Sequence, residues 1–277
     1  MRLRIVDTFA ERPFHGNPAG VLLLESGFPA DDWLRAVAAE VNHAETAFAH
    51  PLPPGSGADW ALRWFTPTTE VDLCGHATLA TAHVLARAGR LAPDGTARFR
   101  TRAGILTAAV AADGLVTLSL PACATTAVPV PDGLREALGG APVLSVHATD
   151  PHVGDLIVEL PDEAAVRAVV PDLTALRAWH PGVMVTAPAE DPARGWDFAS
   201  RSFAPAVGID EDPVTGGAHT ALAAFWSPRL GGRRELVGRQ GGARTGLVRV
   251  RLDGPRTLVA GHAVTVLDAE LRAAPPA

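Results

Sequence analysis

The chain contains no lysine and no tyrosine: all 24 basic residues among its 277 are arginine. That absence excludes a lysine Schiff base to pyridoxal phosphate, the lysine-dependent aldolases and the P-loop lysine. Cysteine is almost as scarce. Cys74 and Cys123 are the only two; they give neither a disulfide framework nor a zinc-site spacing, and they fit a reducing compartment. Basic charge is outweighed by 30 acidic residues, for a formal charge of -6. No basic stripe interleaved with aromatics is present, so nucleic acid is not an expected partner. No apolar run approaches the roughly 18 residues of a membrane span, and Met1 leads through Arg4 straight into Ile5-Val6-Asp7 without the apolar core of a signal peptide. The expectation is a cytoplasmic chain without membrane contact.

What is present is a large hydrophobic complement, 47% of residues, enough for a core and for two domains of roughly 130 residues each. Two short segments stand out. Leu73-Cys74-Gly75-His76-Ala77-Thr78 and Glu211-Asp212-Pro213-Val214-Thr215-Gly216-Gly217-Ala218-His219 each end a strand-like run and open an Ala-rich helical run. The chain therefore reads as built twice, with one active site expected between the halves. Glycine at a helix start admits close approach of a ligand, and the exposed amides with the helix dipole favour a carboxylate there.

Periodicity predicts strands over 2–9, 19–24, 46–49 and 60–65, with an amphipathic helix over 31–41 presenting Trp33, Leu34, Val37 and Ala38 on one face. A helix over about 76–88, ended by Gly89, follows Gly75. Strands over 99–101, 105–111 and 116–120 come next, and the Ala-, Thr- and Pro-rich stretch 121–131 reads as a linker. The second half repeats the plan, with strands over 143–148 and 156–160 flanking Asp150-Pro151-His152, a helix near 163–169, strands over 183–187 and 196–203, and a helix after Gly216. Gly238–Gly242 reads as a turn, 249–252 and 263–267 as closing strands, and the tail 273–277 as disordered. In each half an Asn-Pro or Asp-Pro turn precedes the glycine-opened helix by about 60 residues, a spacing that suggests duplication although sequence identity between the halves is weak. The expected class is α+β, two open barrels or strongly curled sheets each round a central helix. The boundaries read as 1–121, completed by the last strand at about 260–272, and 130–259.

Three residues are candidates for chemistry. Glu45 lies in the apolar stretch Asn42 to Phe48, where a carboxylate is poorly solvated and suited to general acid–base work; a strand-edge Glu paired with an arginine is the plainer alternative. His76 stands at a helix start, where the dipole favours a neutral imidazole, or where it could simply bond a carboxylate. Asp212, ahead of Pro213, could be no more than a helix cap. Among His43, His50, His76 and His83 none pairs at i, i+4, so no metal site is expected. Gly238-Arg239-Gln240-Gly241-Gly242 does not match a dinucleotide loop, and no organic cofactor is implied.

Taken in order, Asp7-Thr8-Phe9 with Phe14-His15-Gly16-Asn17-Pro18-Ala19-Gly20-Val21, the Asn42 to Phe48 segment, Phe65-Thr66-Pro67 with Val71 to Thr78, and Gly208 to His219 resemble the phenazine-biosynthesis PhzF isomerase-like family over nearly the whole chain. The resemblance implies the diaminopimelate-epimerase-like fold, two pseudo-symmetric barrel-like domains each round a central helix, and a homodimer. The family's founding activity isomerises trans-2,3-dihydro-3-hydroxyanthranilate in secondary metabolism without a cofactor. Its acid–base Glu falls on Glu45, its site His on His76 and its site Asp on Asp212. The substrate carboxylate would sit on amides near Gly75, Gly216 and Gly217. Diaminopimelate epimerase and proline-racemase-like relatives use two opposed cysteines; this chain has Cys74 at the first helix but Asp212 ahead of the second, which disfavours a two-thiol racemase. Where the family commonly has Thr-Gly-Ser, Thr215-Gly216-Gly217 lacks the hydroxyl. The alternatives are a Cys74-dependent amino-acid epimerase and a noncatalytic small-molecule-binding protein.

Overall fold

The computed structural model describes residues 1–179 and 182–275. In chain order its main elements are β1 (Arg2–Thr8), β2 (Asn17–Leu23), α1 (Asp31–Val41), β3 (Glu45–Pro51), β4 (Trp60–Phe65), β5 (Glu70–Val71), α2 (Gly75–Arg87), β6 (Gly95–Thr101), β7 (Gly104–Val110), β8 (Val116–Pro121), β9 (Thr125–Val128), α3 (Leu134–Ala137), β10 (Ser145–Thr149), β11 (Leu156–Glu159), α4 (Glu163–Ala168), α5 (Leu173–Leu176), β12 (Val183–Pro188), β13 (Phe198–Ala204), β14 (Ile209–Asp212), α6 (Ala218–Arg229), β15 (Glu235–Gln240), β16 (Gly246–Asp253), β17 (Arg256–Gly261) and β18 (Ala263–Glu270). They form two compact units, Met1–Ser119 with Ala260–Ala277, and Leu120–Val259. Among the described residues no helix is long and apolar enough to cross a membrane. Of the tail read as disordered, Pro276 and Ala277 lie outside the described residues; Ala273–Pro275 carry no regular element.

In the first unit β1 pairs antiparallel with β18 and β2, β2 parallel with β3, β3 antiparallel with β4, and β4 antiparallel with β5 and parallel with β6, which continues into β7. The sheet curls round α2, which touches β1, β2, β3, β7 and β18. That helix is buried from His76 to Ala82 and again at Val84 and Leu85. A helix enclosed on all sides must be apolar all round and slim. Alanines provide the slimness, and the two threonines hide their hydroxyls: Thr78 Oγ1 donates to the Cys74 carbonyl at 2.6 Å and Thr81 Oγ1 to the Ala77 carbonyl at 2.7 Å. The amphipathic α1 covers the sheet's other face, packing Leu34, Val37 and Ala38 on Leu22, Phe48 and Phe65. Asn42, in the left-handed conformation at φ 52°, ends it and delivers the chain into β3 three residues later. The termini close on each other: Leu271 N–H donates to the Met1 carbonyl at 2.7 Å, and the Met1 amino group donates to the Leu271 carbonyl at 3.2 Å.

The second unit repeats that ladder. β10 pairs antiparallel with β9 and β11, β11 parallel with β12, β12 antiparallel with β13, and β13 antiparallel with β14 and parallel with β15, which continues antiparallel into β16. Its buried helix is α6. The expected α+β duplication of a sheet about a central helix is thus the observed architecture. In place of α1 this unit has three short helices over a core that includes Leu134, Leu138, Val158, Leu160 and Phe203. Arg201 ties α4 down, donating to the Val169 carbonyl at 2.6 Å while its Nε and Nη2 grip Glu211 at 2.8 Å each.

Two local expectations are corrected. The stretch 121–131 is not a linker, because Thr125–Val128 form β9 on β10; prolines on both sides, Pro121 and Pro129, disguise so short a strand. Gly238 belongs to β15, not to a turn. A side chain there would meet Phe198 at 2.6 Å and His219 Nε2 at 2.7 Å, so glycine marks a close approach of strand to helix and not a bend.

Candidate active site

Glu45 is the first residue of β3, opposite Ala19 on β2. His76 is the second residue of α2. Both are buried, at 8% and 7% exposure, and Glu45 Oε2 lies 3.3 Å from His76 Nε2. The other ring nitrogen, Nδ1, is 3.5 Å from Cys74 Sγ. Cys74 is the extended residue that precedes α2, and its side chain does not cap the helix. A carboxyl, an imidazole and a thiol thus converge beside the free amides of a 13-residue helix that begins at Gly75. This arrangement can accept a proton, pass it between two groups, and stabilise negative charge.

Asp212, Gly216 and Gly217 belong to the second unit. Asp212 is not a helix cap. It ends β14, the residue before α6 is Gly217, and the Asp212 carboxylate accepts from the Thr215 hydroxyl at 2.6 Å. A residue that sequence reasoning passed over fixes this turn: the buried Gln240 at the end of β15 donates to the Asp212 carbonyl at 3.0 Å and the Thr215 hydroxyl at 2.9 Å, and accepts from Thr215 N–H at 2.9 Å. Sequence carries little signal for it, since Gln240 follows Arg239 in a strand that also begins with a charged residue, Glu235.

His219 is the second residue of α6, as His76 is of α2, yet its setting differs. Fully buried beside Phe198, it engages the Thr215 carbonyl through Nδ1 at 2.9 Å, and burial pushes it down to about 4. His83, half-buried on α2, is pushed to about 4 as well, by burial and then by Arg87. Unfolded histidine titrates near 6.5, so over the window from 6.5 to 4 the unfolded chain binds protons that the folded chain refuses. Their contribution to stability is present above pH 6.5 and lost as pH falls toward 4. The urea midpoint is expected to drop between pH 7.5 and 5, with His83→Gln losing part of that drop; an unchanged drop in the variant would contradict this assignment.

The Glu45, Cys74 and His76 donor atoms lie within 4.8 Å of one another. A carboxylate, thiolate and imidazole so placed are zinc-type donors and could hold a cation, a possibility that chain spacing conceals because Glu45 comes from a different element. A second grouping, Cys123, Asp150 and His152, meets the same distance, but there Asp150 Oδ2 accepts from Ala124 N–H at 2.7 Å and so serves the turn.

The profile of the PhzC-PhzF family, phenazine biosynthesis-like proteins, matches residues 6–269. An uncharacterized isomerase of Pseudomonas aeruginosa is 44% identical over 267 residues, spanning 96% of each chain. Among solved structures, a PhzF-family protein of Enterococcus faecalis superposes with a TM-score of 0.87 at 36% identity, over 98% of this chain and 99% of that one. A predicted epimerase of Pseudomonas aeruginosa shares the fold, with a TM-score of 0.71 at 23% identity over 99% of both. The protein with this twice-built ladder and its buried Glu45–His76 contact therefore belongs to the PhzC-PhzF family of phenazine biosynthesis-like proteins.

Proposed function

We propose that the chain is an isomerase that moves a proton within a small carboxylated metabolite, with Glu45 as the acid–base group and no organic cofactor. The observation that carries this reading is the buried 3.3 Å contact between Glu45 and His76 at the opening of α2. A relative named as an isomerase, similar over nearly its whole length, supports the reaction class. Glu45 as carboxylate takes a proton from an sp3 carbon and returns it elsewhere on the same conjugated framework. His76 orients that carboxylate and can relay the proton, and the amide at Gly75 is a donor for the substrate carboxylate or for charge that develops as the proton leaves. Asp212, with the amides of Gly216 and Gly217, is the second unit's proposed share in substrate handling.

The test is proton NMR in D2O with trans-2,3-dihydro-3-hydroxyanthranilate, following product and deuterium incorporation. Conversion with exchange is expected. Neither product nor exchange would reject this substrate and turn the search to other carboxylated metabolites. The Cys74–His76 contact of 3.5 Å supports a second reading, an epimerase that uses the thiol. Cys74→Ala decides between them: retained turnover belongs to the Glu45 reaction, abolished turnover with Glu45 intact to the thiol reaction.

Gly217 offers a prediction of its own. Its φ is -61° and a Cβ added there would meet nothing within 4 Å. Gly217→Ser is therefore expected to fold with stability changed by no more than a few tenths of a kcal/mol, and to lower the KM for a carboxylated substrate several-fold by adding a hydroxyl donor. A raised KM at unchanged stability would remove this residue from carboxylate recognition.

A further inference from the structure

The duplicated ladder lets each residue of one unit be matched to the other. Thr46 faces Phe65 across β3 and β4, and Val183 faces Phe203 across β12 and β13. One residue earlier, Glu45 and Gly182 occupy the same point. On the neighbouring parallel strand Gly20 faces Thr46 and Leu156 faces Val183, so Ala19 and Asp155 also correspond. The first unit thus has an acid beside an alanine, and the second has a glycine beside an acid. The carboxyl has crossed from one strand of the pair to the other.

Local geometry ties the two positions together. A Cβ on Gly182 would come within 3.1 Å of Asp155 Oδ1 and 2.8 Å of the Phe203 carbonyl. The Asp155 carboxyl fills the space that the missing side chain leaves. Among the described residues no arginine or histidine forms an ion pair with it. The ionisable groups that act on it or feel its charge are Asp212 on β14 and the buried Cys123 thiol. The Thr149 hydroxyl on β10 donates to the Asp155 main-chain carbonyl, at 2.9 Å, and not to the carboxyl. Burial and then the Asp212 charge push Asp155 up to about 6. An acid buried beside another acid, without a cation, is the arrangement that raises a carboxyl toward neutrality, so that Asp155 holds its proton up to about pH 6.

We propose that Asp155 is a second acid–base residue of the enzyme, paired with Asp212 and holding a proton that it delivers to the substrate. This rests on the isomerase reading and deepens it. In the step, the O–H bond of the Asp155 carboxyl breaks as that proton bonds to a substrate oxygen while Glu45 takes the proton from carbon. The electron pair of the broken bond stays on the Asp155 carboxylate, and the substrate oxygen gives the proton back to it as Glu45 returns its own proton to carbon.

The experiment has two arms. Carboxyl-carbon NMR of the 13C-labelled full chain should show Asp155 titrating near pH 6 and falling toward the ordinary carboxylate range in Asp212→Asn, a result that needs no substrate. Asp155 titrating as an ordinary carboxylate in the wild type would overturn the proposal. In the D2O exchange assay, Asp155→Asn should lose at least about tenfold in turnover and flatten the limb of the pH–rate profile near 6. Its melting temperature at pH 7.5 should hold or rise, since an ionised buried carboxylate is removed; a purely structural Asp155 would instead lower it. Wild-type turnover and profile in Asp155→Asn would overturn the proposal. Should the wild type itself leave the substrate unchanged, only the substrate assignment fails, and the NMR arm still decides the pair.

Discussion

Glu45→Gln is expected to fold like the parent and to lose at least about 10²- to 10³-fold in both substrate conversion and solvent-proton exchange. Glutamine keeps the volume and one acceptor oxygen, so the packing of β3 against β2 and the approach to His76 persist while the basic oxygen is lost. Turnover and exchange should fall together, because a single group performs both the removal and the return of the proton. A variant that exchanged deuterium at the parental rate but formed no product would place Glu45 after the proton-abstraction step. A variant with full turnover would remove it from the chemistry. Far-UV circular dichroism and the urea midpoint, read beside the assay, separate these outcomes from misfolding.

Gly16→Ala is expected to be the most damaging small substitution in the β1–β2 connection, on the order of 3 kcal/mol. Gly16 has φ +64°, and an added Cβ would stand 1.9 Å from the Thr8 carbonyl oxygen and 3.1 Å from the Ala10 methyl. Backbone cannot retreat there. Thr8 Oγ1 donates to the Asn17 carbonyl at 2.9 Å, and Phe14 N–H donates to Asp7 at 2.6 Å, so both sides of the connection are held. A urea midpoint displaced by the equivalent of less than about 1 kcal/mol would show that the connection can rearrange. The Gly16-Asn17-Pro18 run that helped identify the family thus has a backbone explanation of its own.

Much of the fold was legible because its signals are local. The helix over 31–41 follows from a clear apolar stripe and ends at Asn42 as a left-handed cap, and β4 is bounded by turn residues at both ends. The start of β6 was missed because Gly95 and Ala97 have low intrinsic strand preference and the segment is ordered by its pairing with β7. β9 was missed for a similar reason. It exists through β10, and no pattern within four residues announces a partner. At the site, Glu45 and His76 were legible as individuals from their motifs, but their contact joins residues 31 positions apart, which only the curl of the sheet round α2 produces. Asp155 was invisible, since an aspartate near a strand start looks like any turn residue until its neighbours are known. The Asp212 carboxylate taking the Thr215 hydroxyl and Gln240 taking the turn from behind are likewise products of tertiary structure.

The clasp between Met1 and Leu271 has a practical corollary in a lysine-free chain. With Met1 at the N-terminus, its α-amino group is the one primary amine of these 277 residues. An amine-reactive fluorophore will therefore attach at one place without mutagenesis, beside the end of β18. With both thiols buried, a single introduced surface cysteine gives a second, orthogonal handle, and energy transfer between the two can follow the release of the closing strand as the first unit opens.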